Sequence, residues 1–263
     1  MTGRARGAAA PEPLAVPTGE AVLALLPRLA AALRGDAPVC PHAASGPPQP
    51  AAPSGSSLPH GVAVVVGTSG STGSPKRAML TAQALRASAS ATHERLGGSG
   101  RWLLTLPAHH VAGLQVLLRS LDAGTEPVVM DLTPGFSPEA FCHAATRLGP
   151  LERRYTSLVP TQLSRLLEHP GGEQALRLFD AVLVGGAGLP PLLRARATDA
   201  HVAVVATYGM SETAGGCVYD GVPLRGTHVA LDAEGRISLG GATLAAGYLG
   251  DPELTREAFT TDA

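Results

Sequence analysis

The sequence predicts an α/β protein with a layered, mostly parallel sheet with helices, plus a small antiparallel β subdomain. Two observations predict this class. From residue 62 onward, short apolar runs alternate with longer segments of helical periodicity, and this alternation is typical of parallel strands joined by helices. Past residue 218 the chain changes to short runs of alternating polarity, which are typical of antiparallel strands.

The first 60 residues are predicted to contain one helix and little other structure. Residues 1–17 are rich in alanine and proline, so we expect them to be disordered or loosely packed. Thr18 can cap a helix that runs through Leu33, and Pro27 would kink this helix unless it falls near the first turn. The prolines and serines of residues 37–59 indicate a surface linker.

Strands and helices alternate after this linker. The predicted strands are residues 62–66, 102–106, 127–131, 155–158, 181–184 and 202–207. The predicted helices are residues 81–96, 111–121, 138–148, 161–167 and 190–198, and the antiparallel runs are 228–231, 236–239 and 243–249. The chain therefore divides into an N-terminal helix and proline-rich linker (1–60), an α/β core (61–217) and an antiparallel subdomain (218–263).

Composition excludes several classes of protein. With 263 residues, of which 44% are hydrophobic and 16% charged, the chain can bury a substantial core and is expected to be soluble. A net charge of −1 argues against nucleic-acid or membrane-surface binding. No segment suits a membrane span or a leader. Cys40, Cys142 and Cys217 lack zinc-ligand spacing and are interpreted as small buried hydrophobes, which fits a cytoplasmic location.

The loop after the first predicted strand is suited to bind a polyphosphate. Its glycines let the backbone turn N–H groups toward an anion, and its hydroxyls and lysine add donors and positive charge. The residues in question are Thr68, Ser69, Gly70, Ser71, Thr72, Gly73 and Lys76.

Two other interpretations of this loop fit less well. A Walker A loop needs Gly-Lys followed by Ser or Thr, whereas here Lys76 follows Pro75 and precedes Arg77. A flexible Ser/Gly linker has a similar composition, but this loop lies between a predicted strand and a predicted helix. The sequence therefore favours phosphate binding.

Three more motifs follow in order: Leu-Pro-Ala-His-His-Val-Ala-Gly-Leu at 106–114, Gly-Gly-Ala at 185–187, and Tyr-Gly-Met-Ser-Glu-Thr at 208–213. With residues 68–76, and with a weaker fifth motif at 240–249, they resemble the adenylate-forming (AMP-binding) superfamily of acyl-CoA ligases, peptide-synthetase adenylation domains and luciferases. Within this superfamily, two segments are most similar to o-succinylbenzoate–CoA ligases of menaquinone biosynthesis. They are the second motif with its continuation to Ser120, and the Cys-Val-Tyr-Asp-Gly segment at 217–221.

This resemblance implies an enzyme that adenylates a carboxylic acid with ATP and Mg²⁺ and then forms a thioester with coenzyme A. The resemblance also implies roles for individual residues. Lys76 neutralises phosphate charge, Ser211 stands where the family contacts the α-phosphate, and Glu212 stands where it holds the metal. The nucleotide site would further include residues 68–73 and Gly185, Gly186, Ala187, Tyr208 and Gly209. A hydrolase with a nucleophile elbow is disfavoured because Thr213 stands in place of the second glycine.

The acid site is predicted from the second motif. His109 and His110 point to opposite sides of the backbone, so both cannot face one ligand, and by resemblance His110 lines the acyl site and has a catalytic role. A second carboxylate on the acid needs a cation. Arg119 is preferred because it follows His110 on the same predicted helix, with Arg154 as the alternative; both could also be surface charges.

The sequence departs from the family pattern in two places. Arg77 replaces a glycine, and the chain stops at Ala263, before the family's ribose-binding aspartate and the small C-terminal domain with its catalytic lysine. We therefore expect ATP binding with an impaired second step. Three alternatives remain open: another acyl- or aryl-CoA ligase, an amino-acid adenylation domain, or a non-catalytic nucleotide-binding fragment. For the ligase, the predicted partners are a small-molecule carboxylic acid, ATP and coenzyme A, with no nucleic acid and no membrane insertion.

Overall fold

The computed structural model describes residues 10–46, 58–68, 76–149 and 153–260. These residues form two sheets and a separate two-stranded hairpin, with helices between and around the sheets. The mostly parallel α/β architecture expected from the sequence is confirmed. No helix in these ranges is both long enough and apolar enough to cross a bilayer.

The strands are β1 (Glu12–Val16), β2 (Val39–Ala43), β3 (Val62–Thr68), β4 (Lys76–Thr81), β5 (Arg101–Leu104), β6 (Val128–Val129), β7 (Arg154–Leu158), β8 (Ala181–Val184), β9 (Val204–Met210), β10 (Gly215–Tyr219), β11 (Val222–Pro223), β12 (Thr227–Leu231) and β13 (Ile237–Gly241). The helices are α1 (Leu26–Arg34), α2 (Ala82–Arg95), α3 (Val111–Ala123), α4 (Pro138–Thr146), α5 (Pro160–Glu168), α6 (Gly172–Leu176), α7 (Pro191–Asp199) and α8 (Pro252–Ala258), with 3-10 turns at Gly19–Leu25 and Ser211–Thr213.

The first sheet has the order β1-β2-β3-β4. Strands β1, β2 and β3 are parallel, and β4 is antiparallel to β3. This sheet corrects two predictions. Residues 12–16 are a strand rather than loosely packed chain, and residues 39–43 are a strand rather than linker, because Val39 and Cys40 are buried against the sheet core. The rest of the predicted linker, residues 47–57, lies outside the described residues, as do residues 1–9.

The second sheet has the order β11-β10-β9-β8-β7-β5-β6. Its strands β5 to β9 are parallel, as expected for strands joined by helices, and β10 and β11 add antiparallel edges. The six predicted strands from residue 62 and the five predicted helices are confirmed, with ends shifted by up to three residues. The antiparallel prediction is confirmed for β12 and β13 but is wrong for 243–249, where only an isolated bridge between Ala78 and Tyr248 forms.

The N-terminal helix differs from its prediction. The segment begins as a 3-10 turn after Thr18, whose side chain makes no cap, and becomes α-helical only at Leu26. Pro27 therefore falls in the first α-helical turn, where its missing N–H costs no hydrogen bond.

The helices pack on the sheets through two clusters of buried apolar residues. Helices α1, α2 and α3 pack between the two sheets, around buried Leu29, Leu85 and Leu117. Helices α4 to α7 cover the other face of the second sheet, around Phe141 and Leu163. Of the cysteines, Cys40 and Cys217 are buried as expected, whereas Cys142 is only half-buried. All three are free thiols.

Candidate functional site

A cavity of about 130 Å³ opens at the carboxyl ends of β7, β8 and β9. In parallel sheets, ligands bind at these ends. Three of the sequence motifs reach the cavity, through Leu106, the Gly185–Gly186 pair and the Gly209–Met210 pair. Helix α3 forms the opposite wall with Gln115 and Arg119.

Glycines in these motifs bring backbones together around the cavity. A Cβ added at Gly185 would collide with the Thr207 hydroxyl, which donates a hydrogen bond to the Val184 carbonyl over 3.3 Å. At Gly209 a Cβ would collide with the carbonyl of Gly215. These positions therefore need glycine for the close approach of β8, β9 and β10.

Arg119 is the most unusual side chain that lines the cavity. It is 3% exposed, and no carboxylate in the described part of the chain pairs with it. Its guanidinium stacks on the Trp102 ring, with Cζ 5.0 Å from the centroid, and Nη2 donates to the Tyr219 hydroxyl over 3.4 Å. Its Nε–H has no partner among the described residues. Burial lowers the pKa of Arg119, and the Tyr219 phenol partly opposes that effect.

Gln115 lies one helical turn before Arg119 and fixes the loop after β9. Its Nε2 donates to the Ala214 carbonyl over 2.6 Å, and the Ser88 hydroxyl donates to the same oxygen over 3.1 Å. Ala214 has φ 53°, a left-handed conformation that is strained for alanine. These two donors therefore stabilise the turn that carries Ser211 and Glu212.

The adjacent histidines correct one expectation, since their rings do not point to opposite sides of the backbone but lie against each other, with the centroids 4.2 Å apart. His109 lines a second cavity of about 310 Å³, which is walled mainly by apolar residues. His110 is exposed and directly precedes α3, next to the first cavity but not among the residues that line it. Desolvation is the main cause that lowers the pKa of both histidines, so both favour the neutral imidazole.

The predicted metal ligand, Glu212, and the predicted phosphate-binding lysine, Lys76, both contact Tyr248. The Tyr248 hydroxyl donates to Glu212 Oε1 over 2.7 Å, and Lys76 Nζ lies 5.6 Å from the centroid of the Tyr248 ring. The predicted phosphate-loop residues Ser69, Gly70, Ser71, Thr72 and Gly73 lie outside the described residues. Thr68 ends β3 and Lys76 begins β4.

The position of this loop corrects one expectation. The loop joins two antiparallel strands of the first sheet, rather than a strand and a helix as the sequence suggested. Helix α2 begins only after β4.

The donor set around Glu212 fits a metal that arrives with a nucleotide. The described residues contain no group of three or more His, Cys, Asp or Glu side chains able to hold a metal. Mg²⁺ bound with a triphosphate takes one or two carboxylates and completes its shell with phosphate oxygens and water. One half-buried carboxylate with a bound hydroxyl suits that type of site.

The remaining predicted residues lie at several places in the fold. Ser211 and Glu212 form the 3-10 turn that follows β9. Tyr208 is 43% exposed at the end of β9, and Gly186 has φ +78° in the exposed turn that ends at Ala187. Arg154, the alternative cation, starts β7 at the opposite end of the sheet.

A model of the AMP-binding enzyme family matches residues 23–249 of this chain. The chain belongs to the family of AMP-binding enzymes. The match includes strands β2 to β13 and the segment that carries Tyr248, so the family assignment covers the whole candidate site.

Curated relatives of this AMP-binding chain include a protein named probable 2-succinylbenzoate–CoA ligase from Mycobacterium tuberculosis. It is 52% identical over 240 residues, which are 89% of this chain and 62% of the relative. The 2-succinylbenzoate–CoA ligase of Salmonella typhimurium is 35% identical over 197 residues, 71% of this chain and 40% of the relative. The chain thus spans about 62% of the length of the mycobacterial relative.

Solved structures show the same fold. O-succinylbenzoate coenzyme A synthetase from Bacillus subtilis, in complex with ATP and magnesium ion, superposes with TM-score 0.67 at 25% identity, over 76% of this chain and 45% of that chain. A malonyl-CoA ligase in a product complex with methylmalonyl-CoA and AMP superposes with TM-score 0.75 at 25% identity, over 94% of this chain and 66% of that one.

Several residues of this site were not predicted from the sequence. Gln115 could have been found, since it lies four positions before Arg119 and so shares its helix face. Tyr248 lies in the weak fifth motif but received no role. Trp102 lies in a predicted strand and Tyr219 in the 217–221 segment, but neither was assigned a role, because only the folded chain brings them to the guanidinium.

Proposed function

We propose that this chain carries the nucleotide and acid sites of an AMP-forming acid–CoA ligase whose acid is o-succinylbenzoate. The observation that carries the proposal is the buried, carboxylate-free guanidinium of Arg119 on the cavity wall. A buried cation without an anion costs several kcal/mol. The aromatic face of Trp102 offsets about 2 kcal/mol of that cost. A carboxylate on the substrate would supply the missing partner.

The chemistry of a dicarboxylic acid fits this cavity. One carboxylate would bind Arg119 in the cavity, and the other would lie near Ser211 and attack the α-phosphorus of ATP. The attack forms an acyl-adenylate and releases pyrophosphate. Alignment of the two reactants and neutralisation of phosphate charge account for the rate, since little covalent work falls to the protein.

The nucleotide would bind between the loop that ends at Lys76 and the motifs after β8 and β9. In this arrangement Gly185, Gly186 and Ala187 contact the base, Tyr208 and Gly209 line the AMP site, and Thr68 and Lys76 contact the phosphates. His110 stabilises charge that develops at the reacting carboxylate. Mg²⁺ held by Glu212 would neutralise phosphate charge when bound.

The relatives support the choice of acid and of the second substrate. Relatives that are 52% and 35% identical are named 2-succinylbenzoate–CoA ligases, and a solved neighbour is described in complex with the acyl-adenylate intermediate of the same acid. By this likeness coenzyme A receives the acyl group in a second step. An amino-acid substrate is disfavoured because the described residues that line the cavity include no carboxylate to bind an α-amine.

The first prediction tests the acid site. Pyrophosphate release is measured with o-succinylbenzoate and with benzoate, which lacks the second carboxylate. Arg119→Met keeps an apolar stem against Trp102 but removes the charge, so we expect the KM for o-succinylbenzoate to rise about 10–100-fold, the factor typical of a charged hydrogen bond. The KM for ATP should not change.

Arg154→Met is the matched control, because Arg154 lies at the opposite end of the sheet and its replacement should leave both KM values unchanged. An Arg119→Met enzyme with the original KM for o-succinylbenzoate would show that this acid does not use the guanidinium. ATP binding without pyrophosphate release from any acid in a panel would instead support a non-catalytic nucleotide-binding fragment.

A further inference from the structure

Tyr248 touches both side chains that the proposed function assigns to the phosphates and the metal. Its hydroxyl donates to Glu212 Oε1 over 2.7 Å, and its ring faces the Lys76 ammonium at 5.6 Å. The residue is 6% exposed. A single side chain therefore links the start of β4 in the first sheet to the turn after β9 in the second.

The backbone around Tyr248 is fixed against β4. The Met79 N–H donates to the Gly247 carbonyl over 2.9 Å, and the Leu249 N–H donates to the Arg77 carbonyl over 2.8 Å. The Phe259 ring packs edge-on against Tyr248, with the ring centroids 5.4 Å apart. The ring thus has little freedom to move away from Lys76.

The same segment is also fixed to the turn that carries Glu212. The Ala245 N–H donates to the Glu212 carbonyl over 2.8 Å. Both the backbone and the side chain of Glu212 are therefore hydrogen-bonded to the segment 245–248. The carboxylate is held in one orientation before any ligand binds.

We propose that Tyr248 is a positioning residue that presents Glu212 to the metal and Lys76 to the phosphates of the bound nucleotide. Glu212 Oε1 accepts the phenol O–H, so the second carboxylate oxygen remains for the metal. Second-shell hydrogen bonds of this kind orient metal ligands in many proteins, and their loss costs about 10–100-fold in metal affinity. This inference rests on the proposed function.

Two substitutions separate the two contacts. Tyr248→Phe removes the hydroxyl but keeps the ring, so it affects the hydrogen bond to Glu212 and spares the contact with Lys76. Tyr248→Leu removes both contacts. If the tyrosine positions both groups, the two variants must differ in a measurable way.

The experiment measures ATP affinity of the full 263-residue chain by calorimetry, with and without Mg²⁺. In the wild type, Mg²⁺ should strengthen ATP binding. In Tyr248→Phe we expect this gain to fall about tenfold, the factor expected for one second-shell hydrogen bond, with the metal-free affinity unchanged. In Tyr248→Leu we expect the gain to fall equally and the metal-free affinity to fall as well.

Two controls accompany these variants. Tyr155→Phe removes a phenol hydroxyl whose hydrogen-bond partners are the carbonyls of Leu96 and Gly98 rather than Glu212 or Lys76, and it should leave both affinities unchanged. Glu212→Gln should abolish most of the metal gain, and adding Tyr248→Phe to it should have no further effect on that gain, because the two residues act on the metal as one unit.

The outcomes separate the inference from the proposed function. If the wild type binds ATP more tightly with Mg²⁺ and Tyr248→Phe keeps the full gain, the positioning role is wrong and the proposed function stands. An additive loss in the Glu212→Gln and Tyr248→Phe double variant also overturns the role. If the wild-type chain binds no ATP, the proposed function and this inference both fail.

Discussion

His93 shows at the scale of one residue how the core behind the candidate site responds to pH. The side chain is 5% exposed, and its Nε2 accepts a hydrogen bond from the Trp102 indole over 3.4 Å. Its Nδ1 lies 3.3 Å from Asp122 Oδ2. Burial and the Arg119 charge lower the pKa of His93, and Asp122 opposes them without reversing the shift.

Stability should therefore fall as the pH falls. A histidine with a lowered folded-state pKa is protonated first in the unfolded chain, so its contribution is complete above the unfolded value of about 6.5 and is lost below it. Protonation would also remove the acceptor that Trp102 uses. We expect the free energy of unfolding, measured with urea, to decrease from pH 7 to pH 5.

His93→Gln tests the origin of this slope, because glutamine can accept from Trp102 and does not titrate. The variant should have a shallower decrease between pH 7 and pH 5, whereas replacement of the exposed His143 by Gln should leave the slope unchanged. An equal slope in the wild type and in His93→Gln would assign the pH dependence to other groups.

Candidate site residues could be proposed from the sequence where a local motif carried them. His110, Ser211, Glu212 and Lys76 lie in short runs with recognisable spacing. The partners of Arg119 were not predictable, since Tyr219 is 100 positions away from it. Such contacts depend on how α3 packs between sheets, which no short window of sequence encodes.

At the scale of one element, Gly113 of the second motif shows how a single residue controls the packing of a helix. It lies in the first turn of α3, where an added Cβ would collide with the carbonyl of Pro107 and would lie 2.7 Å from that of Leu106. The glycine thus lets α3 approach the loop that holds His109 and His110.

Gly113→Ala should destabilise the protein by about 1–3 kcal/mol, as overpacking does in closed cores. In an open helix the same change stabilises by about 1 kcal/mol, so the sign of the effect in denaturant unfolding distinguishes the two cases. Gly188→Ala is the control, since nothing lies within 4 Å of its added Cβ and its φ is not in the left-handed range. A Gly113→Ala protein as stable as the wild type would mean that α3 can shift away at no cost.

Elements were predictable where the chain alternates clearly. Strand β8 was predicted to the residue, and α3 began where expected. Strands β1 and β2 were missed because each contains a proline within a short run, at Pro13 and Pro41. Strand β4 was not predicted, because it begins with the charged residues Lys76 and Arg77. Its extended conformation comes from pairing with β3 rather than from its own composition.

The whole molecule is held together by a core shared between the two sheets. The cluster around Leu85 joins residues of the first sheet, α1 to α3 and one face of the second sheet. The cluster around Leu163 belongs to the second sheet and α4 to α7 alone. Loss of packing in the first cluster should therefore weaken both sheets.

Leu85→Ala and Leu163→Ala test this difference, because both leucines are almost fully buried. Each should cost about 2–5 kcal/mol. In native-state hydrogen exchange, Leu85→Ala should accelerate exchange in both β3 and β8, whereas Leu163→Ala should act mainly on β8. If Leu85→Ala left β8 fully protected, the two sheets would unfold as independent units.

The antiparallel pairing of β3 and β4 has a consequence for how anions are attracted. In many nucleotide-binding proteins a helix N-terminus points at the phosphates and contributes about half a positive charge. Here α2 begins at the far end of β4, which is about 20 Å of extended chain from Lys76. The macrodipole of α2 is therefore not available at that place, and the attraction depends more on side-chain cations such as Lys76, whose field dissolved salt screens over about 8 Å at physiological ionic strength.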